Sequence, residues 1–104
     1  MTETQQSIAQ WANNAFGPAA RVERIAARAN EEMAELLRAA TVEPCELEAV
    51  AMEAADVVIV LYRLAHVCGF DLNDLINHKM TINRAREWKL DGTGHGYHVR
   101  DRSA

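Results

Sequence analysis

Two acidic groupings dominate the chemistry available to this chain. Glu31-Glu32 is followed by Glu35, and Glu53 is followed by Asp56, so each grouping contains an acid–x–x–acid pair. On a helix, side chains three residues apart share one side. Each pair therefore presents two carboxylates in a common direction. Four carboxylates at close quarters repel one another and rise in pKa, and a divalent cation removes that conflict. Ligation by oxygen alone selects Mg²⁺, with Mn²⁺ as the alternative, over Zn²⁺. Magnesium also keeps positions open for water and for phosphate oxygens. The competing reading makes these acids solvated and paired with Arg28, Arg38 or Arg63.

A second constellation is basic. Lys79, Asn83 and Arg86 are spaced i, i+4, i+7, with Arg84 and Lys89 nearby and Trp88 following. Lysine and arginine in such a stripe can line a phosphate chain, and an asparagine can bond sugar or phosphate. The plainer reading is a helix end whose cations complement its dipole. Trp11, as a pair with Phe16, and Trp88 are the candidates for packing against a base, a role that competes with filling a core. The four histidines have no zinc-like spacing with Cys45 or Cys68. The E-x-x-H motifs of a di-iron bundle, a Walker A sequence and a nucleophile elbow do not occur.

These residues need elements to hold them. The only punctuation is Gly17-Pro18, Pro44, Gly69 and the glycines at 92, 94 and 96, which divides the chain into four helical segments and a tail. The spacing predicts helices over about 5–16, 19–40, 44–68 and 72–88. In the second, Val22, Ile25, Ala26, Ala29, Met33, Leu36, Leu37 and Ala40 step by three and four along one face. Against that stripe Glu32 lies roughly 80° off centre and Glu35 roughly 140° off. The third contains the apolar run Val57–Tyr62 and reads as a helix apolar all round, hence central in a bundle or at a subunit interface. Pro44 fits its first turn and Gly69 its stop. Residues 91–104 read as a loop-like tail.

The chain has 104 residues and a net charge of −4, which predicts one domain over 1–104. Residues 1–78 hold five Arg against twelve Asp and Glu, whereas 79–104 hold six Lys and Arg against three acids. An acidic body with a basic end is a poor partner for duplex nucleic acid and suits a metal–polyanion complex. The longest apolar run is far short of the ~20 residues of a membrane span, so no membrane partner is expected. The N-terminus lacks a basic region and an apolar stretch, and the two cysteines form no CxxC. A reducing, cytoplasmic setting is the expectation.

Together, Glu31-Glu32-x-x-Glu35-Leu36, Glu53-x-x-Asp56-Val57-Val58 and Lys79-x-x-x-Asn83-x-x-Arg86 resemble the MazG-like group of all-α nucleoside triphosphate pyrophosphohydrolases. The endings Asn83-Arg84-Ala85-Arg86-x-Trp88 and Asp91-Gly92-Thr93-Gly94-His95 are most similar to its small dATP/dGTP diphosphohydrolase (MazZ-like) branch. The resemblance covers about residues 5–98. It implies an all-α, antiparallel four-helix bundle assembled as a homodimer or as a dimer of dimers, a homotetramer. It implies Mg²⁺-dependent cleavage of a (deoxy)nucleoside triphosphate, of the purine dNTP type, to monophosphate and pyrophosphate. By the same resemblance Glu32, Glu35, Glu53 and Asp56 would be metal ligands, and Glu31 a further acid that orients or deprotonates water. Lys79, Asn83 and Arg86 would hold phosphates and sugar. The alternatives are the same chemistry on dCTP, dUTP or phosphoribosyl-ATP, and a non-catalytic helical dimerisation or regulatory module.

Overall fold

The computed structural model describes residues 2–19 and 21–99. The chain forms two compact units, Met1–Leu72 and Asn73–Ala104. The first contains α1 (Gln5–Phe16), α2 (Val22–Thr41) and α3 (Leu47–Val67). Helix α4 (Leu72–Ala85) begins at its boundary and leads into a hairpin of β1 (Trp88–Leu90) and β2 (Gly96–His98) in the second unit.

Each helix starts and stops for a local reason. Thr4 caps α1 through a capping box: its hydroxyl accepts from the Ser7 amide at 3.1 Å, and the Ser7 hydroxyl accepts from the Thr4 amide at 2.8 Å. Gly17 ends α1 at φ 82°, donating its N–H to the Asn13 carbonyl at 2.9 Å. That left-handed conformation costs any residue with a Cβ. The third helix begins at Leu47, after the cis Glu43–Pro44 bond, rather than at Pro44. It ends at Val67, and Gly69 follows with φ 85°. The second helix runs Val22–Thr41, so of its expected first residues Ala19 lies outside it and Ala20 lies outside the described residues.

Helix α3 packs against both α2 and α1. Among the described residues the buried apolar ones are Ala9, Ala12, Ile25, Ala29, Val57 and Ala65, mostly small, and no large side chain is fully buried. Gln5 clamps the start of α1 to the turn after α3: its amide donates to the Phe70 carbonyl and its oxygen accepts from the Leu72 amide, both at 2.7 Å. Within the chain α3 is not covered on all sides as a central helix would be, which leaves the other expected placement, at a subunit interface. Met52 is 65% exposed, and Val58 and Val67 are also exposed. Two neighbouring helices within one unit do not cover every face of a 21-residue helix.

The C-terminal expectation is corrected too. Helix α4 stops at Ala85, and the supposed end of the helix and start of the tail form an antiparallel pair in the register Trp88↔His98, Lys89↔Tyr97, Leu90↔Gly96. The Trp88 indole N–H donates to the Asn83 carbonyl at 2.8 Å, satisfying an acceptor at the helix end. Asp91 builds the turn by accepting from the Thr93 amide at 2.9 Å and hydroxyl at 2.7 Å. Strands of three residues carry too few positions to show an alternating pattern. Residues 100–104 of the expected tail lie outside the described residues.

Candidate active site

Helical spacing lays Arg24, Arg28, Glu32 and Glu35 along one side of α2, with cations in its first half and acids beyond them. On α3 the same rule aligns Glu53, Asp56, Val60 and Arg63. The packing of α2 on α3 brings the acids of the two helices together. Carboxylate oxygens of Glu32, Glu35 and Glu53 all lie within 4.8 Å of one another. Glu32 is 6% exposed, Glu53 half-buried and Glu35 exposed.

The cluster has the donor chemistry of a hard-cation site. Oε2 of Glu32 and Oε2 of Glu53 are both buried without a hydrogen-bond partner among the described residues. Buried unpaired carboxylate oxygens are costly, and two beside a third carboxylate are what a divalent cation would satisfy. Burial pushes the pKa of Glu32 above the usual carboxylate range, and the neighbouring Glu35 and Asp56 push in the same direction. Arg28 opposes the shift. Its guanidinium spans two acids, with Nη2 2.6 Å from Glu32 Oε1 and Nη1 2.8 Å from Glu31 Oε2. The ion-paired reading of the acids therefore holds for Glu31 and for one oxygen of Glu32, leaving the other oxygen of Glu32 free of it.

Asp56 stands in the wall of a cavity of about 660 Å³ that also touches Glu32 and Glu35. From the acids the lining continues through Arg28 and Arg24, and through Ile59, Val60 and Arg63. Trp11 and Phe16 contribute from α1, meeting edge to face with ring centroids 5.5 Å apart. The volume falls within the range of small-molecule sites. Glu31 is exposed and outside the three-acid cluster, held by Arg28.

The remaining candidates belong to the second unit. Lys79 is exposed on α4, Asn83 is half-buried near its end, and Arg86 falls one residue past it, half-buried, with its amide donating to the Asn83 carbonyl at 3.3 Å. Trp88 lies on β1, its ring edge to face with His98 at 6.1 Å. Arg24, Arg28 and Arg63 join the cavity lining without having been expected there from sequence. The i, i+4, i+8 run Arg24–Arg28–Glu32 was the available signal for two of them.

Fold and site thus define a class: a helical protein with a cluster of carboxylates able to hold a metal ion at a cavity of small-molecule size. Residues 3–81 match the phosphoribosyl-ATP pyrophosphohydrolase (PRA-PH) family. The chain is 31% identical over 99 residues to a dATP/dGTP diphosphohydrolase of Cyanophage S-2L, covering 95% of this chain and 88% of that protein. It is 31% identical over 101 residues to a dATP/dGTP diphosphohydrolase of Salmonella phage PMBT28, covering 97% of this chain but only 32% of that protein, so it spans about a third of that relative's length. A solved structure of the Cyanophage S-2L MazG-like pyrophosphohydrolase, bound to dGDP and three catalytic Mn²⁺ ions per active site, superposes with a TM-score of 0.73. That match is at 31% identity over 93% of this chain and 90% of the other. The chain belongs to the PRA-PH family of pyrophosphohydrolases, with the MazG-like fold.

Proposed function

We propose that this protein is a divalent-metal-dependent nucleotide pyrophosphohydrolase. It converts a deoxynucleoside triphosphate of the purine type to the monophosphate and pyrophosphate. The observation that carries the reading is the convergence of Glu32, Glu35 and Glu53, with two buried unpartnered oxygens, at a cavity large enough for a nucleotide. Glu32, Glu35, Glu53 and Asp56 would hold Mg²⁺, or Mn²⁺ in its place. The bound cation would supply charge neutralisation on the triphosphate and acidify a water. Glu31 would accept a proton from the attacking water, with Arg28 keeping its carboxylate oriented. Lys79 and Arg86 would stabilise charge on the departing pyrophosphate, Asn83 would bond sugar or phosphate, and Trp11 and Trp88 would pack against the base. Water is the nucleophile, so no covalent intermediate forms.

Two further points belong to this reading. The exposed apolar side chains of α2 and α3, Met33, Leu37, Met52 and Val58 among them, suit a homodimer or homotetramer, to be checked by light scattering. The free thiols of Cys45 and Cys68 suit the cytoplasm; no helix among the described residues is long and apolar enough to cross a membrane.

The test is product analysis by chromatography over the eight common NTPs and dNTPs with Mg²⁺ and with Mn²⁺. Monophosphate and pyrophosphate in equal amounts from a purine dNTP is the expected result. Release of inorganic phosphate alone, or no metal-dependent turnover, refutes the reading. The match to the phosphoribosyl-ATP pyrophosphohydrolase family makes phosphoribosyl-ATP the one additional substrate to include.

A further inference from the structure

The cavity changes character away from the carboxylates. There the Arg63 guanidinium carbon lies 5.7 Å from the Phe16 ring centroid, and its Nη2 donates to the Gly17 carbonyl at 2.9 Å. Among the described residues its Nε is buried with no partner, and Arg63 pairs with no carboxylate. A solvated surface arginine would be mobile. This one is pinned by a ring face and a carbonyl, and it has more donors than partners. Arg28, by contrast, is paired with two acids.

Position along α3 sets where Arg63 stands relative to the acids. Asp56 and Arg63 both line the cavity, and seven residues of helix put them on one side about 10 Å apart along the axis. The inference rests on the nucleotide reading above: with phosphates at the acids, sugar and base run along this wall toward Trp11, Phe16 and Arg63. We propose that Arg63 reads the edge of the base and makes this protein prefer guanine over adenine. A guanidinium offers donors only. Guanine presents two adjacent acceptors, O6 and N7, which match its fork, whereas adenine places an amino donor beside N7. Adenine would set donor against donor and leave a desolvated polar group unpaired. Phe16 and the Gly17 carbonyl are the positioning groups. A bidentate contact of this kind discriminates roughly 10- to 100-fold against the wrong base.

The experiment compares wild type, Arg63→Gln and Arg63→Lys. It measures kcat/KM for dGTP and dATP with Mn²⁺, binding of dGMP and dAMP in chelator by quenching of tryptophan fluorescence, and Mn²⁺ affinity by calorimetry. Wild type should favour guanine by about tenfold or more in both nucleotide readouts. Arg63→Gln, whose amide offers the acceptor and donor that match adenine N6 and N7, should abolish or reverse the preference, through KM, with Mn²⁺ affinity unchanged. Arg63→Lys keeps the charge but loses the fork and should lose most of the preference too. A wild type indifferent to the base overturns the proposal. So does an equal loss for both nucleotides, or full rescue by lysine, either of which assigns Arg63 to phosphate or to structure. Should the wild type hydrolyse no triphosphate, the pyrophosphohydrolase reading fails by itself, and the monophosphate binding ratio still decides the role of Arg63.

Discussion

Replacing Glu53 by Gln should act in opposite directions on the metal-free and the metal-loaded protein. The ligand oxygens of Glu35 and Glu53 lie within 4.8 Å. Two unit charges at that separation repel by about 1 kcal/mol even in the dielectric of water, and Glu32 adds repulsion of the same sign. The amide keeps the shape, removes one charge and can donate to a neighbouring carboxylate. In chelator the variant should therefore melt roughly 4–8 °C higher than wild type, the shift that about 1 kcal/mol makes in a domain of this size. With metal the order reverses. A direct ligand should cost at least as much as an outer-shell partner, whose loss weakens metal binding by roughly 10–100-fold. At a metal concentration of about 100 times its Kd, wild type gains about 2.7 kcal/mol; a variant binding about 100-fold more weakly gains about 0.4. Wild type then overtakes the variant by about 1 kcal/mol. Thermal melts in EDTA and in MnCl₂, with calorimetry for Kd, provide the comparison. A variant that melts below wild type in EDTA, or that shows the same metal-induced rise, would refute the three-carboxylate cation site.

Three further outcomes are expected. Lys79→Ala should weaken nucleotide binding while leaving Mn²⁺ affinity intact, as titrations of each ligand will show; equal loss of both would contradict the assigned division between acids and bases. Thr4→Ala removes the hydroxyl half of the α1 capping box and should cost about 1 kcal/mol, read as a fall in melting temperature; an unchanged melt would mean the box contributes nothing. Hydrogen bonds from Thr93 hold the Asp91 carboxyl below its ordinary pKa. The hairpin turn thus draws stability from Asp91 above the unfolded pKa of that group and loses it as pH falls through the lowered folded value. The Thr93 amide resonance should titrate in that acid range and cease to do so in Asp91→Asn, and a midpoint at the ordinary carboxylate value would contradict the assignment.

Helical periodicity carried the sequence reading a long way. The bounds of α1 were legible because Gly17 and the spacing of Ile8, Ala9, Trp11 and Ala12 act within a turn or two. The stop of α3 was legible at Gly69 for the same reason. The hairpin was not, because Trp88–Leu90 and Gly96–His98 are stabilised by pairing with each other and by the Asp91 turn rather than by any repeating local pattern. Nor was the exposure of Met52 and Val58 visible, since an apolar run states a need for cover without naming what supplies it.

The site divides along the same line. The acid pairs of α2 and α3, and their oxygen-only chemistry, are written in residue type and in a spacing of three, which any helix converts into a shared face. Convergence is another matter. Glu32 and Glu53 are separated by the end of one helix and the start of the next, and only the packing of α2 on α3 brings their oxygens within 4.8 Å and buries two of them. Burial, in turn, is what raises the Glu32 pKa, and a long-range contact is what pins Arg63 beside Phe16 and Gly17. Local spacing sets direction on a helix; dielectric environment and distances between helices exist only once the chain has packed.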